Sequence, residues 1–105
     1  MPLRNSVLER KMDFVGFEAA KFLVLAKAVS HAEIRCVDGQ RWAIFLHGGS
    51  EFVLKSERQS PRRFALLETA MEEVRRLGLI RCEVNLEQWH GKSARPASAP
   101  LEQTQ

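Results

Sequence analysis

Residues 55–63, Lys-Ser-Glu-Arg-Gln-Ser-Pro-Arg-Arg, form the one local cluster in this 105-residue chain whose composition points to a chemical purpose. Ser60-Pro61 is a helix-start signal, a capping hydroxyl followed by proline in the first turn. It places Arg62 and Arg63 in that turn, where the helix dipole disfavours cations and the unpaired N–H groups favour anions. Neither arginine has an acidic residue four positions on, since Leu66 and Leu67 stand there. Lys55, Arg58, Ser60, Arg62 and Arg63 are therefore the candidate anion or nucleic-acid site. A solvated basic loop accounts for the same residues.

Bond-making chemistry finds no comparable support. His31, His47 and His90 share no metal-ligand spacing with a cysteine or carboxylate. No serine, cysteine or carboxylate has a visible general-base partner. Gly48-Gly49 is too short to frame a phosphate loop. Cys36 and Cys82 are too few for a disulfide framework and read as small core residues. The expectation is a protein that is not an enzyme and needs neither cofactor nor metal.

The elements that must position the basic cluster follow from periodicity. Residues 17–30 are rich in Ala and Leu and free of Pro and Gly, which favours a helix. Residues 32–37 alternate, with Ala32, Ile34 and Cys36 on one face. Asp38-Gly39-Gln40 is a turn, and residues 41–47 alternate again with Trp42, Ile44 and Leu46 inward. Pairing Leu46 with Phe52 and Ile44 with Leu54 keeps the core face continuous and leaves a three-residue loop, 48–50. A second helix from Ser60-Pro61 carries a stripe of Phe64, Leu67, Met71, Val74 and Leu77, an outward Glu72–Arg76 pair, and Gly78 as its C-terminal stop. Residues 79–86 form the last strand, with Ile80, Cys82, Val84 and Leu86 inward, and Trp89 folds back as an edge anchor.

The fold class is thus α+β in the order αβββαβ, a four-stranded, mostly antiparallel sheet with two helices on one face. Residues 1–13 read as a mobile lead-in, residues 14–90 as a single domain and residues 91–105 as a disordered polar tail. The last strand arrives by a helical crossover, parallel to the one it left. Its neighbour in the sheet, the first or third strand of the meander, stays open.

The same register composes the outer face of the sheet. Phe45 falls opposite Val53, Ala43 opposite Lys55, and Arg35 across from Ala43. This makes an apolar strip bordered by Arg35, Arg41, Lys55 and Arg81. Base stacking, a protein contact and an ordinary outer face all fit it. The first helix carries a surplus of its own, because Phe17, Phe22, Leu23, Val24 and Leu25 cannot share one face. Phe22 and Leu25 are accordingly candidate partner-binding residues, with Arg35, Arg41, Phe45 and Val53 as the second set. A homodimer is expected, with the first helix favoured over the sheet as its interface.

Charge limits the nucleic-acid reading. The chain has a net charge of +3, but residues 14–90 hold 11 Lys or Arg against 10 Asp or Glu. Bulk attraction to phosphate would show a larger excess. No apolar run reaches the roughly 18 to 20 residues of a membrane span, so a cytoplasmic protein without membrane contact is expected.

Across residues 33–86, Arg41-Trp42-Ala43, Leu54-Lys55-Ser56, Arg63-Phe64-Ala65 and Leu77-Gly78 together give a pattern of core positions and turns. The pattern resembles the small partition-associated proteins of bacterial plasmids known as the ParC type. The resemblance implies an accessory, non-enzymatic role in plasmid partition or maintenance, acting with partition proteins or DNA. The αβββα order is also similar to double-stranded-RNA-binding domains, but this first helix is too apolar and its second offers only Arg62 and Arg63.

Overall fold

The computed structural model describes residues 12–58 and 60–91. Its elements are β1 (Asp13–Val15), α1 (Phe17–Leu25), β2 (Val29–Cys36), β3 (Trp42–Gly48), β4 (Glu51–Leu54), α2 (Leu67–Leu77) and β5 (Cys82–Asn85). The α+β class and the two helices stand. The sheet, however, has five strands in the order β1-β4-β3-β2-β5 and is mixed. β3 is antiparallel to both neighbours, while β1 is parallel to β4 and β5 parallel to β2.

The central meander has the register that side-chain parity requires. Ile34 faces Ile44, Cys36 faces Trp42, and Leu46 faces Phe52. His47 pairs with Glu51, which leaves the three-residue loop of Gly48, Gly49 and Ser50. Gly48 is required here for space, because a Cβ would collide with the Ala28 carbonyl. That carbonyl also accepts a bond from the Gly49 N–H at 3.3 Å, so the hairpin closes onto the turn before β2.

The fifth strand joins Asp13, the last residue of the expected lead-in, to Phe14 and Val15, to which sequence period assigns no strand. Asp13 pairs with Phe52 and Val15 with Leu54. A three-residue strand has too little sequence to show a period; it exists because the edge of β4 offers partners for its N–H and C=O groups. Residues 1–11, the rest of that lead-in, and residues 92–105, nearly all of the predicted tail, lie outside the described residues. With β1 in place, β1-α1-β2 and β4-α2-β5 are two crossovers, and each steps three positions across the sheet. The last strand therefore lies beside β2, the first strand of the meander.

Both helices are shorter than their patterns. α1 ends at Leu25, not Ser30: Lys27 N–H reaches the Val24 carbonyl at 3.0 Å and Ala28 N–H the Leu23 carbonyl at 2.9 Å. This is the Schellman arrangement, with Lys27 at φ 68° where glycine is usual. α2 ends in the same pair of bonds, with Gly78 at φ 104° as expected. Its start differs more. Ser60-Pro61 opens no helix; Pro61 bridges Lys55, Phe64 bridges Trp42, and the helix begins at Leu67.

The main core lies between the sheet and the helices, with Ile34, Ile44, Leu46 and Leu54 from the strands, Ala20 from α1, and Ala70, Val74 and Leu77 from α2. Met71, read as part of the buried stripe, is exposed, because the actual start of α2 turns Ala70 inward. Phe64 is buried, but from the extended segment ahead of the helix. Cys36 is buried, whereas Cys82, Ile80, Val84 and Leu86 are exposed. The face assignment of β5 holds, since Cys82 aligns with Ala32 and Val84 with Ile34. Yet the helices pack over β2 and β3 and leave this edge uncovered. Trp89 does fold back, its ring 6.1 Å from that of Trp42.

Two stability changes follow. Trp42→Ala should cost about 3 to 5 kcal/mol in urea unfolding, and a wild-type midpoint would contradict its core role. Lys27→Gly should raise stability by about 1 kcal/mol by relieving the left-handed residue, read from the same unfolding curves.

Candidate functional site

The basic cluster does not sit at a helix N-terminus. After β4 the chain makes a tight return: Ser56 N–H bonds the Ser60 carbonyl at 3.0 Å, and Arg62 N–H bonds the Leu54 carbonyl at 2.9 Å. Ser60 caps nothing; its hydroxyl lies 3.3 Å from that of Ser56. The helix that does follow begins at Leu67 behind Leu66, which offers no capping group. The free N–H groups that would complete an anion site therefore lie several residues beyond the arginines.

Arg62 also has a partner that no i,i+4 rule reveals. Its Nη1 donates to Glu73 Oε2 at 3.1 Å, and Arg76 Nη1 donates to Glu73 Oε1 at 2.7 Å. Glu73 is buried, so this carboxylate needs both guanidinium groups. Arg76 thus serves Glu73 rather than the expected Glu72. The two guanidinium groups lie 4.8 Å above the rings of Phe64 and Phe17 respectively, closing one margin of the core. Of the five candidate anion ligands, Lys55, Arg58 and Ser60 form the return through their backbones, Arg62 also belongs to Glu73, and Arg58 and Arg63 present exposed side chains.

The outer strip is a second small core. Phe45 and Val53 pair as expected, but with Ala43 they are buried beneath Met12, Phe14 and Val37. Phe14 comes from β1, the strand that sequence period did not reveal, and it covers what would otherwise be an exposed aromatic. Arg35 completes the cover, its guanidinium 3.8 Å from the centre of the Phe45 ring. Phe45 and Val53 are accordingly unavailable for stacking or for a partner. Arg41 is tied at 3.0 Å to Asp38 in the β2–β3 turn. Hydrogen bonds from the Arg41 and Gln40 N–H groups, with the charges of Arg41 and Arg63, hold the Asp38 carboxyl below its ordinary pKa.

Beside this cluster lies a polar network centred on Glu33, which is 8% exposed. Arg35 donates to both its oxygens, at 2.8 and 3.1 Å; Asn85 Nδ2 donates at 2.8 Å, and His47 Nε2 lies 2.9 Å away. The Arg35 hydrogen bond is the largest of the effects that take the Glu33 pKa from 4.5 to about 2, with Asn85 and His47 adding to it against the opposing effect of burial. An ionised Glu33 only accepts, so His47 Nε2 carries the proton. The His31 ring stacks on His47 at 5.2 Å. The alternation of Glu33 and Arg35 on one face was a usable signal for part of this network. Asn85 was not, because it arrives through the β4-α2-β5 crossover.

Besides Leu66 and Met71 at α2 and the partly covered Trp89, exposed apolar groups cluster in two places. Phe22 and Leu25 on α1 are 67% and 78% exposed and line a groove with Lys21, Lys27, Arg76 and Leu77. Ile80, Val84 and Leu86 lie along the β5 edge. Among the described residues, no group of three or more His, Cys, Asp or Glu is placed to hold a metal ion, and no helix is long and apolar enough to cross a membrane. No family model, curated protein or solved structure matches the chain.

Glu33 sets an acid response. Because its pKa is lowered on folding, its stabilising effect is present above its ordinary value of 4.5 and is lost as pH falls toward about 2. Glu33→Gln should therefore be less stable than wild type at neutral pH, and the gap should narrow through that window. Urea midpoints measured at neutral and acid pH check it, and a gap of constant size would show that Glu33 does not carry the response.

Proposed function

We propose that this protein is a non-enzymatic accessory factor of plasmid partition or maintenance that acts by contact with a protein partner. The partition context rests on the resemblance across residues 33–86. The mode of action rests on one observation, the exposure of Phe22 and Leu25 on a helix that otherwise packs into the core. Large apolar side chains grouped on a groove are a feature of contact surfaces. The groove is rimmed by Lys21, Lys27 and Arg76, with Glu18 as the one acidic member. Its charge favours a partner segment of apolar side chains flanked by carboxylates.

Direct binding of DNA through Lys55, Arg58, Ser60, Arg62 and Arg63 is the alternative. It loses weight because Arg62 is committed to buried Glu73 and the segment is an extended return without a helix end behind it. Association of the full chain with duplex DNA, followed by fluorescence anisotropy over a salt series, separates the two. Contact through a protein predicts no binding or a slope near zero, whereas phosphate recognition predicts a steep loss of affinity with salt. Phe22→Glu with Leu25→Glu should abolish binding to purified partition proteins of the same plasmid while leaving the circular dichroism spectrum unchanged. Undiminished binding by that variant would remove α1 as the contact.

A further inference from the structure

We propose that β5 pairs with β5 of a second copy of this chain, antiparallel and centred on Cys82, to make one continuous ten-stranded sheet. β5 is the last strand in the order, and its outer side has no strand beside it among the described residues. An uncovered strand edge is a template for another chain, and natural edges are commonly guarded by lysine, proline or a bulge. β5 is short, at four residues, but has no lysine, proline or bulge. It has an exposed cysteine, Ile80 at 79% exposure, and two charges of opposite sign, Arg81 and Glu83.

The pattern is self-complementary in one register. Directly opposed residues of an antiparallel pair share a face, so a twofold axis at Cys82 sets Arg81 against Glu83 twice on the outer face. On the helix face it sets Ile80 against Val84 twice and Cys82 against its own copy. Ile80 and Arg81, which precede the assigned strand, then join the ladder. Two neighbouring registers fail on charge. Centring on Glu83 opposes two carboxylates, and centring on Arg81 opposes two guanidinium groups, both of which are destabilising. Centring on Val84 would oppose Arg81 to Glu87, but Glu87 lies in the turn closed by the Trp89 N–H and the Leu86 carbonyl at 3.0 Å, and Glu83 would meet Asn85, whose amide is already given to Glu33 at 2.8 Å. Integer centring also keeps the helices of both copies on the same face of the joined sheet.

This twofold contact does not depend on the role given to α1. It does relocate the self-association expected at the first helix. Opposed residues in an antiparallel pair have Cα atoms about 4.5 to 5.5 Å apart, within the range of a disulfide. Cys82 therefore reports the register without being needed for it.

Sedimentation velocity of the full chain under reducing conditions, over a concentration series, should show a monomer–dimer equilibrium. Arg81→Glu or Glu83→Arg alone replaces two attractive pairs with repulsive ones and should weaken dimerisation by about tenfold or more. The double exchange, Arg81→Glu with Glu83→Arg, should restore it. Mild oxidation should give a covalent dimer that survives Cys36→Ser and is lost in Cys82→Ser. Circular dichroism of each variant confirms that the fold is kept. A wild-type chain that is monomeric at every concentration overturns the pairing, as does a dimer indifferent to both single charge changes. A dimer abolished by Phe22→Glu with Leu25→Glu but not by the charge changes assigns the contact to α1 instead. A dimer that never cross-links through Cys82 overturns the register.

Discussion

Two backbone hydrogen bonds between Trp42 and Phe64, at 2.9 and 2.8 Å, govern how the halves of this chain meet. They hold the segment after β4 in extended form against the start of β3, where a helix would otherwise have begun. Because that segment is extended, α2 starts at Leu67 and rotates Ala70, Glu73 and Val74 toward the sheet. Arg62, two residues before the bridge, is then delivered to Glu73. The Trp42 ring receives Trp89 from the chain's far end, and His90 N–H bonds the Gly39 carbonyl at 3.1 Å. One bridged pair thus ties the meander, the second crossover and the segment after β5 into a single unit.

The sheet is used on both faces, which is costly for a small domain. Its helix face follows ordinary economy, with aliphatic side chains against apolar α1 and amphipathic α2. Its outer face buries Ala43, Phe45 and Val53 against Met12, Phe14 and Val37 and caps them with Arg35. That guanidinium is the hinge between apolar and polar halves of the face, covering Phe45 while holding Glu33. A carboxylate so nearly buried is tolerated because every one of its partners is a donor. The same four groups link β2, β3 and β5, so the network also pins the edge strand at its Asn85 end.

What is left exposed after these demands are met is informative. The arginines that looked most available are partly spent on Glu73, a structural use that explains their presence near a buried acid. Exposed apolar side chains are grouped on α1 and along β5, two separate surfaces with different chemistry. The α1 groove has a mostly basic rim and so is not complementary to itself, which suits a different molecule. The β5 edge has paired opposite charges about a central residue, which suits its own copy.

The meander was legible because a half-buried strand writes its orientation in period two, and one shift of register would have exposed every aliphatic residue of the core face. The pairing of Leu46 with Phe52, the three-residue loop, the inward Trp42 and the Gly78 stop all follow from the amino-acid sequence by itself. So does the α+β class. The remainder depended on contacts between residues distant in sequence. β1 is three residues long and exists only beside β4. Ser60-Pro61 has sound local start chemistry, but the Trp42–Phe64 bridge outweighs a single cap, which contributes about 1 kcal/mol. Glu73 could not be matched to Arg62, because their meeting depends on where α2 begins, nor Asn85 to Glu33, because that pair is closed by a helix-sized crossover. The burial of Phe45 and the exposure of Cys82 were decided by which elements happen to cover each strand, and alternation along a strand specifies a face without specifying what lies over it.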